Sequence, residues 1–120
     1  MLINLSNHPS HLWSEKQWKA AMVYGEVVDI PFPDVDPEGD ELYIHSLSFE
    51  YVMKILNIKK EEENVTVHIM GEMTLSYSLI HALSSENISC IASTTLRNVI
   101  SFSNDVKETQ FVFSRFRKYQ

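Results

Sequence analysis

The fold of this chain is decided by residues 64–74, which run Asn64-Val65-Thr66-Val67-His68-Ile69-Met70-Gly71-Glu72-Met73-Thr74. The first half alternates apolar and polar residues, which predicts a strand with one buried face. Gly71 ends the alternation, and apolar residues at helical spacing then predict a helix over about 73–85. A strand that turns directly into a helix is typical of a βαβ unit, so this stretch indicates a parallel sheet.

The same alternation of strands and helices continues on both sides of this stretch. Further β-rich runs are predicted at residues 1–6, 26–30, 88–92, 98–103 and 110–117. Further helices are predicted from Ser14 to about Gly25 and over about 40–58. We therefore expect one α/β domain, 1–120, with a small Rossmann-like or flavodoxin-like, mostly parallel sheet of order βαβαβαβ. Helices should cover both faces, and a β-rich C-terminal hairpin over 97–120 should turn around Ser103-Asn104-Asp105.

The start of the first helix has a recognisable local signature. Ser14 and Gln17 have the spacing of a capping box, in which the hydroxyl and the amide each satisfy a free backbone N–H. Trp13 and Trp18 flank this box and are expected to pack together as a hydrophobic staple.

Composition limits the class of protein. Apolar residues make up 44% of the 120 residues, which is typical of a folded domain. The single Cys90 forms no internal disulfide, and its apolar surroundings predict a buried thiol in a reducing compartment. No apolar run approaches the ~20 residues that span a bilayer, and the N-terminus lacks the basic flank of a signal peptide. We therefore expect a cytoplasmic protein that does not bind membranes.

The charge is unevenly distributed. The net charge is −6, with +3 in residues 106–120 and −9 in residues 1–105. Proteins that bind long nucleic acids usually carry an excess of lysine and arginine, so the acidic composition argues against this function. The asymmetry fits either a solvated acidic face with a basic last strand or a functional basic surface formed by Arg115 and Arg117.

Several common catalytic motifs are absent from the sequence. It contains no GxGxxG, no GxxxxGK(S/T), no GxSxG and no HExxH, which argues against dinucleotide binding, P-loop chemistry, α/β-hydrolase activity and a zinc protease. The acidic stretch 34–41 has no EF-hand spacing, and helix capping explains it more simply than a metal site. We expect His68 to be structural, and we expect no metal and no cofactor.

Ligands of such sheets bind at the carboxyl ends of the strands. This rule selects three polar segments, at residues 7–11, 71–74 and 93–97. Gly71 either lets a ligand approach the helix N-terminus or simply makes a tight turn. Glu72 opposes an anion there, and it either contacts a ribose or base or complements the helix dipole. His8 is a candidate acid, base or phosphate donor, or else only a turn residue before Pro9.

Four segments together resemble a known family. They are Asn4-Leu5-Ser6-Asn7-His8-Pro9-Ser10, Gly71-Glu72-Met73-Thr74, Ala92-Ser93-Thr94-Thr95 and Phe113-Ser114-Arg115-Phe116-Arg117. They are similar to the small stand-alone proteins of type III CRISPR loci that contain CRISPR-associated Rossmann-fold (CARF) domains. The resemblance extends over essentially the whole chain.

The resemblance implies a homodimer with one symmetric pocket for cyclic oligoadenylate, such as cyclic tetra- or hexa-adenylate. It further implies metal-independent cleavage of that ring, in which a ribose 2′-hydroxyl attacks the adjacent phosphate. The catalytic residues expected on this basis are His8, Thr94 and Arg97. The ligand-binding residues expected are Asn7, Ser10, Gly71, Glu72, Thr74, Ser93 and Thr95. Two alternatives are a sensor or sponge that does not cleave its ligand, and a protein-interaction module that uses the hairpin.

Overall fold

The computed structural model describes residues 1–101 and 107–120. Within these ranges the helices and strands follow the order strand, helix, strand, helix, strand, helix, strand, strand. They are β1 Leu2–Ser6, α1 Glu15–Ala21, β2 Val27–Pro31, α2 Glu41–Lys59, β3 Thr66–Met70, α3 Met73–Ser85, β4 Ser89–Ser101 and β5 Lys107–Lys118. Short 3-10 turns precede and follow α1, at Ser10–Leu12 and Met22–Tyr24.

The strands form one sheet in the order β2-β1-β3-β4-β5. The first four strands are parallel, and β5 runs antiparallel to β4. The predicted mixed α/β fold with a mostly parallel sheet and a C-terminal hairpin is therefore confirmed. From β1 the chain first crosses to β2 on one side and later to β3 on the other side of β1. The strand order therefore reverses between β1 and β3, which is the switch point of the sheet.

Helices cover both faces of the sheet, as the sequence predicts. On one face, α2 and α3 pack over alternate residues of β1 and β3, with Ile55 and Leu79 at the centre of the core. On the other face, Ala21 of α1 packs with Leu2 and Phe116 in a smaller core. Two layers of helix around one sheet explain why both faces of β1 are buried.

The prediction of a short fourth strand followed by a polar loop is wrong. β4 continues without interruption from Ser89 to Ser101, through the segment 93–97 that we expected to be a ligand-binding loop. β5 pairs with β4 from Ile91 to Ser101, and a register shift lies between Thr94 and Thr95. Threonine favours strands, so the polar run extends the strand once a partner is present. The predicted turn at 103–105 lies outside the described residues.

Contacts around α1 confirm one half of the predicted capping box and correct the other. The Ser14 hydroxyl accepts a hydrogen bond from the Gln17 backbone N–H, and the Trp13 and Trp18 rings lie 5.5 Å apart between centroids. The Gln17 amide, however, donates to the Ser93 hydroxyl at 3.1 Å instead of returning to Ser14. Gln17 is buried, and a buried amide finds its partner on the neighbouring strand.

Two further expectations concern Cys90 and membranes. Cys90 is buried in the larger core, as predicted, and burial raises the pKa of its thiol to about 11. In the described part of the chain, no helix combines the length and apolar character that crossing a bilayer requires.

Candidate ligand site at the carboxyl edge of the sheet

The loop that follows β1 is held tightly at the carboxyl edge. The backbone N–H of Asn7 donates to the Met70 carbonyl at 3.1 Å, which joins the ends of β1 and β3. The His8 carbonyl accepts three hydrogen bonds, from the side chains of Asn4, Ser6 and Trp13. The side chains of Asn7 and His8 are exposed. The switch point therefore presents an amide and an imidazole to solvent from a rigid backbone.

A chain of buried polar side chains lies directly beneath this loop. The Asn4 amide donates to Asp29 at 2.8 Å, and its oxygen lies 2.8 Å from Nδ1 of His68. Nε2 of His68 lies 2.7 Å from the Ser93 hydroxyl, and the Gln17 amide donates to the same hydroxyl. The chain crosses β2, β1, β3 and β4 and ends on α1, so it ties the helix to the sheet.

The protonation of His68 follows from its surroundings. Its side chain is 1% exposed, and burial, together with a smaller repulsion from His8, lowers its pKa to about 4. An amide oxygen only accepts hydrogen bonds, so Nδ1 of the neutral ring donates to Asn4 and Nε2 accepts from Ser93. The rings of Trp13 and Phe116 contact the imidazole edge-on. The Ser93–His68–Asn4 order resembles a catalytic triad, but the enclosed ring supports a structural role, as the sequence predicts.

Ser10 belongs to the same buried system. Its hydroxyl donates to one carboxylate oxygen of Asp29 at 2.7 Å, and its backbone N–H donates to the other at 3.2 Å. Burial raises the pKa of Asp29, but the hydrogen bonds from Ser10 and Asn4 outweigh it and lower the pKa overall. The hydroxyls of Ser10 and Ser93, both expected to contact ligand, are thus bonded to side chains within the fold.

An aromatic ring leaves no room for a side chain at position 71. A Cβ atom placed on Gly71 would lie 2.5 Å from the Phe32 ring, and Phe32 itself is buried. The space that the glycine leaves is therefore filled by Phe32. The sequence offered two interpretations of Gly71, an opening for a ligand and a tight turn, and neither included this contact with Phe32.

The N-terminus of α3 is capped by Glu72. Its carboxylate accepts hydrogen bonds from the backbone N–H groups of Thr74 and Leu75, at 3.0 and 2.8 Å, and from the Thr74 hydroxyl. Hydrogen bonds from Leu75 and then Thr74 lower the pKa of Glu72. This geometry matches the interpretation that Glu72 complements the helix dipole, and an anion would have to displace it.

The third group of expected residues lies on the hairpin arm, which we define as residues 94–101 and 107–115. The Thr94 hydroxyl donates to the Arg115 carbonyl at 2.9 Å and accepts from the Arg115 N–H, so it stabilises the irregular pairing there. Thr95 and Arg97 are exposed. Continuing the register between β3 and β4 places Met70 level with Ser93, so Arg97 lies about 13 Å beyond the edge.

A groove of about 490 Å³ opens beside Gly71, between α3 and the end of the chain. It is lined by Met70, Gly71, Met73, Ser76, Tyr77, Ile80, Tyr119 and Gln120. The Tyr119 hydroxyl donates to the Ile69 carbonyl and holds the last residues against β3. Sequence reasoning missed this groove because its walls come from segments about 40 positions apart. The only local signal was the run of exposed Met and Tyr residues that follows Gly71.

In the acidic stretch before α2, Asp40 caps the helix, whereas Asp36 stabilises a turn that precedes it. Asp40 accepts from the Tyr43 N–H at 2.9 Å, and Asp36 accepts from the Glu38 N–H at 2.9 Å. Within residues 1–101 and 107–120, no three His, Cys, Asp or Glu side chains are arranged to hold a metal ion.

Comparison with known proteins identifies the family. No curated protein sequence and no solved structure matches the chain. A family model matches residues 1–117, and the chain belongs to the uncharacterized protein MJ1673 family. The match spans the strands from β1 to all but the last residue of β5, so the carboxyl edge and the hairpin arm both lie within the family region.

Proposed function

We propose that this MJ1673-family protein binds cyclic oligoadenylate at the carboxyl edge of its sheet and cleaves it as a homodimer. The observation that supports this most directly is the switch point, where the side chains of Asn7 and His8 are exposed and the Asn7 N–H bonds to the carbonyl of Met70, a residue that lines the groove at Gly71. Ligands of parallel α/β sheets bind at such points. The choice of ligand rests on the resemblance to CARF domains, which extends over the same segments.

The proposed reaction needs positioning and proton transfer. A ribose 2′-oxygen forms a bond to phosphorus while the bond from phosphorus to the neighbouring 5′-oxygen breaks. The 2′-hydroxyl loses its proton to a base, and the departing 5′-oxygen gains one from an acid. Two copies of His8 across a two-fold axis supply one base and one acid. Within one copy Arg97 lies about 13 Å beyond the edge, so in the proposed dimer the Arg97 that stabilises the charge developing on the phosphate comes from the arm of the second copy, and Thr94 positions that arm.

The dimer is proposed to form through the hairpin arm. Leu96, Val99, Phe111 and Val112 are all exposed on it. A two-stranded ribbon has little stability in water by itself, and an exposed apolar ribbon is a surface for another chain. The basic residues of the C-terminal strand and the acidic body of a second copy are also complementary in charge.

A second candidate function is binding without cleavage. The hydroxyls of Ser10, Ser93 and Thr94 all have partners within the fold, which leaves few groups besides His8 and Arg97 for chemistry. A sensor or sponge needs only the pocket, and this observation favours it as the alternative.

The test incubates the purified protein with cyclic tetra-adenylate or cyclic hexa-adenylate in the presence of a chelator and separates the products by chromatography. We expect linear oligoadenylates with 2′,3′-cyclic phosphate ends. His8→Ala and Arg97→Ala should each lower the rate by about 100-fold or more. The matched control, His45→Ala, alters an exposed histidine on α2 and should leave the rate unchanged.

Two other results have clear meanings. Intact ligand together with a ligand-dependent rise in melting temperature would replace the enzyme by the sensor. If the protein cleaves neither cyclic tetra-adenylate nor cyclic hexa-adenylate and is stabilised by neither, the proposed function is refuted.

A further inference from the structure

We propose that the groove between α3 and residues 119–120 is a binding subsite for one purine base. This inference deepens the proposed function and rests on it for the identity of the base as adenine. The groove has a volume of about 490 Å³, within the usual range of small-molecule sites. It shares Met70 and Gly71 with the carboxyl edge, so a base in the groove would belong to a ligand whose phosphates face the switch point.

The side chains around the groove suit a flat aromatic ring. Tyr77 is 74% exposed and Met73 is 83% exposed, although both are large apolar side chains next to a concave surface. The Tyr77 ring lies nearly parallel to the His81 ring, with 11° between the planes and 6.3 Å between the centroids. Oriented phenol rings and thioether groups provide stacking surfaces for a base.

The groove also contains a buried hydroxyl, that of Ser76. It lines the groove and is only 8% exposed, and its hydroxyl has no hydrogen-bond partner in the described part of the chain. Buried hydroxyls in folded proteins are almost always hydrogen-bonded, because an unpaired one is costly. A nucleobase has ring nitrogens and an exocyclic group that would satisfy this hydroxyl.

The electrostatics distinguish a base from a phosphate. None of the described residues that line the groove has a charged side chain. Glu72, which follows Gly71 in the chain, has a carboxylate that already caps α3 and would repel an anion. A neutral heterocycle therefore fits the groove, whereas the phosphates of the same ligand would lie outside it, toward His8.

The first experiment uses adenosine 5′-monophosphate as the probe and follows the methyl signals of Met70 and Met73 by NMR in the full chain. We expect both signals to shift in a saturable way. Tyr77→Ala should weaken binding about tenfold or more, because stacking on one aromatic ring contributes that much. Ser76→Ala should weaken it by a smaller factor. Phe49→Ala, which removes an exposed ring on α2, is the control and should bind as the wild type does.

The second experiment repeats the titration with cyclic tetra-adenylate and separates the two proposals. In one outcome, cyclic tetra-adenylate binds to Tyr77→Ala and Ser76→Ala with the affinity of the wild type and leaves the Met73 methyl signal unchanged. That result refutes the base subsite but leaves the proposed function standing. If the monophosphate shifts the methyl signals in a Tyr77-dependent way but the ring is neither bound nor cleaved, the subsite is supported and the proposed function fails.

Discussion

Lowering the pH from 7.5 to 5 should destabilise this protein through one side chain, His68. The imidazole is 1% exposed and bonded to Asn4 and Ser93 as the neutral ring. Burial lowers its pKa from 6.5 to about 4. In the unfolded chain the same side chain is exposed to water and takes up a proton at its ordinary pKa.

The sign and size of the effect follow from this difference in pKa. Between pH 6.5 and 4 the unfolded state binds more protons than the folded state, so the free energy of unfolding falls as the pH falls. Well above pH 6.5, His68 is neutral in both the folded and the unfolded state, so its contribution to stability is fully present. At pH 5 the expected loss is about 2 kcal/mol, and it grows to roughly 3 kcal/mol near pH 4. Asp29 and Glu72, whose pKa values are lowered from 3.8 and 4.5, affect stability mainly as the pH falls toward and below those values, and both are unchanged in the His68 variant, so their effect cancels in the comparison.

The assay is urea unfolding at pH 7.5 and pH 5, followed by the fluorescence of Trp13 and Trp18; the Trp13 ring contacts His68. Between pH 7.5 and pH 5, the free energy of unfolding of the wild type should fall by about 2 kcal/mol more than that of His68→Gln, in which no imidazole titrates at this position. His45→Gln, at an exposed position of α2, is the matched control and should behave as the wild type does.

Equal pH dependence in the wild type and His68→Gln would refute the reasoning. If His68→Gln does not fold at pH 7.5, NMR titration of the wild-type His68 ring measures its pKa directly. A midpoint near 6.5 would then show that the ring is accessible to water in the folded state.

Three further predictions concern packing, capping and reactivity. Gly71→Ala should lower the free energy of unfolding by about 1–3 kcal/mol in urea, because its Cβ would overlap the Phe32 ring, and a second change, Phe32→Leu, should recover part of that loss. Ser14→Ala should cost about 1 kcal/mol in the same assay, because the Gln17 N–H loses its acceptor; an unchanged midpoint would contradict this. Cys90 should react with a thiol reagent at pH 8 only as the protein unfolds, and rapid labelling of the native protein would show that the core is open.

The elements that the sequence predicts well are those with strong local patterns. The predicted helix over 73–85 coincides with α3, because apolar residues recur along one face and Glu72 provides a cap at its start. β1 and the cap at Ser14 also match, since each depends on residues within a few positions of one another. Local signals of this kind need no knowledge of the partner segments.

The candidate site was predictable only in part. The switch-point rule selected Asn7, His8 and Gly71, and the structure brings these to one edge. It also selected Ser93–Arg97 as a loop, which the structure replaces with a strand because β5 pairs alongside it. Polarity alone does not distinguish a loop from an exposed strand, since a strand in a two-stranded arm has little need of apolar residues.

The sequence by itself determined the α/β class, the order of the elements as far as the start of β4, the cap at Ser14 and the burial of Cys90, because these depend on short-range spacing and on composition. Only the tertiary structure decided which groups meet. The Gln17 amide bonds to Ser93, 76 positions away, and Phe32 fills the space above Gly71. A buried polar group pairs with whatever donor or acceptor the fold brings within reach, and a glycine accommodates whatever ring lies opposite it. These partners come from separate strands and helices, so the sheet order had to be known before they could be named.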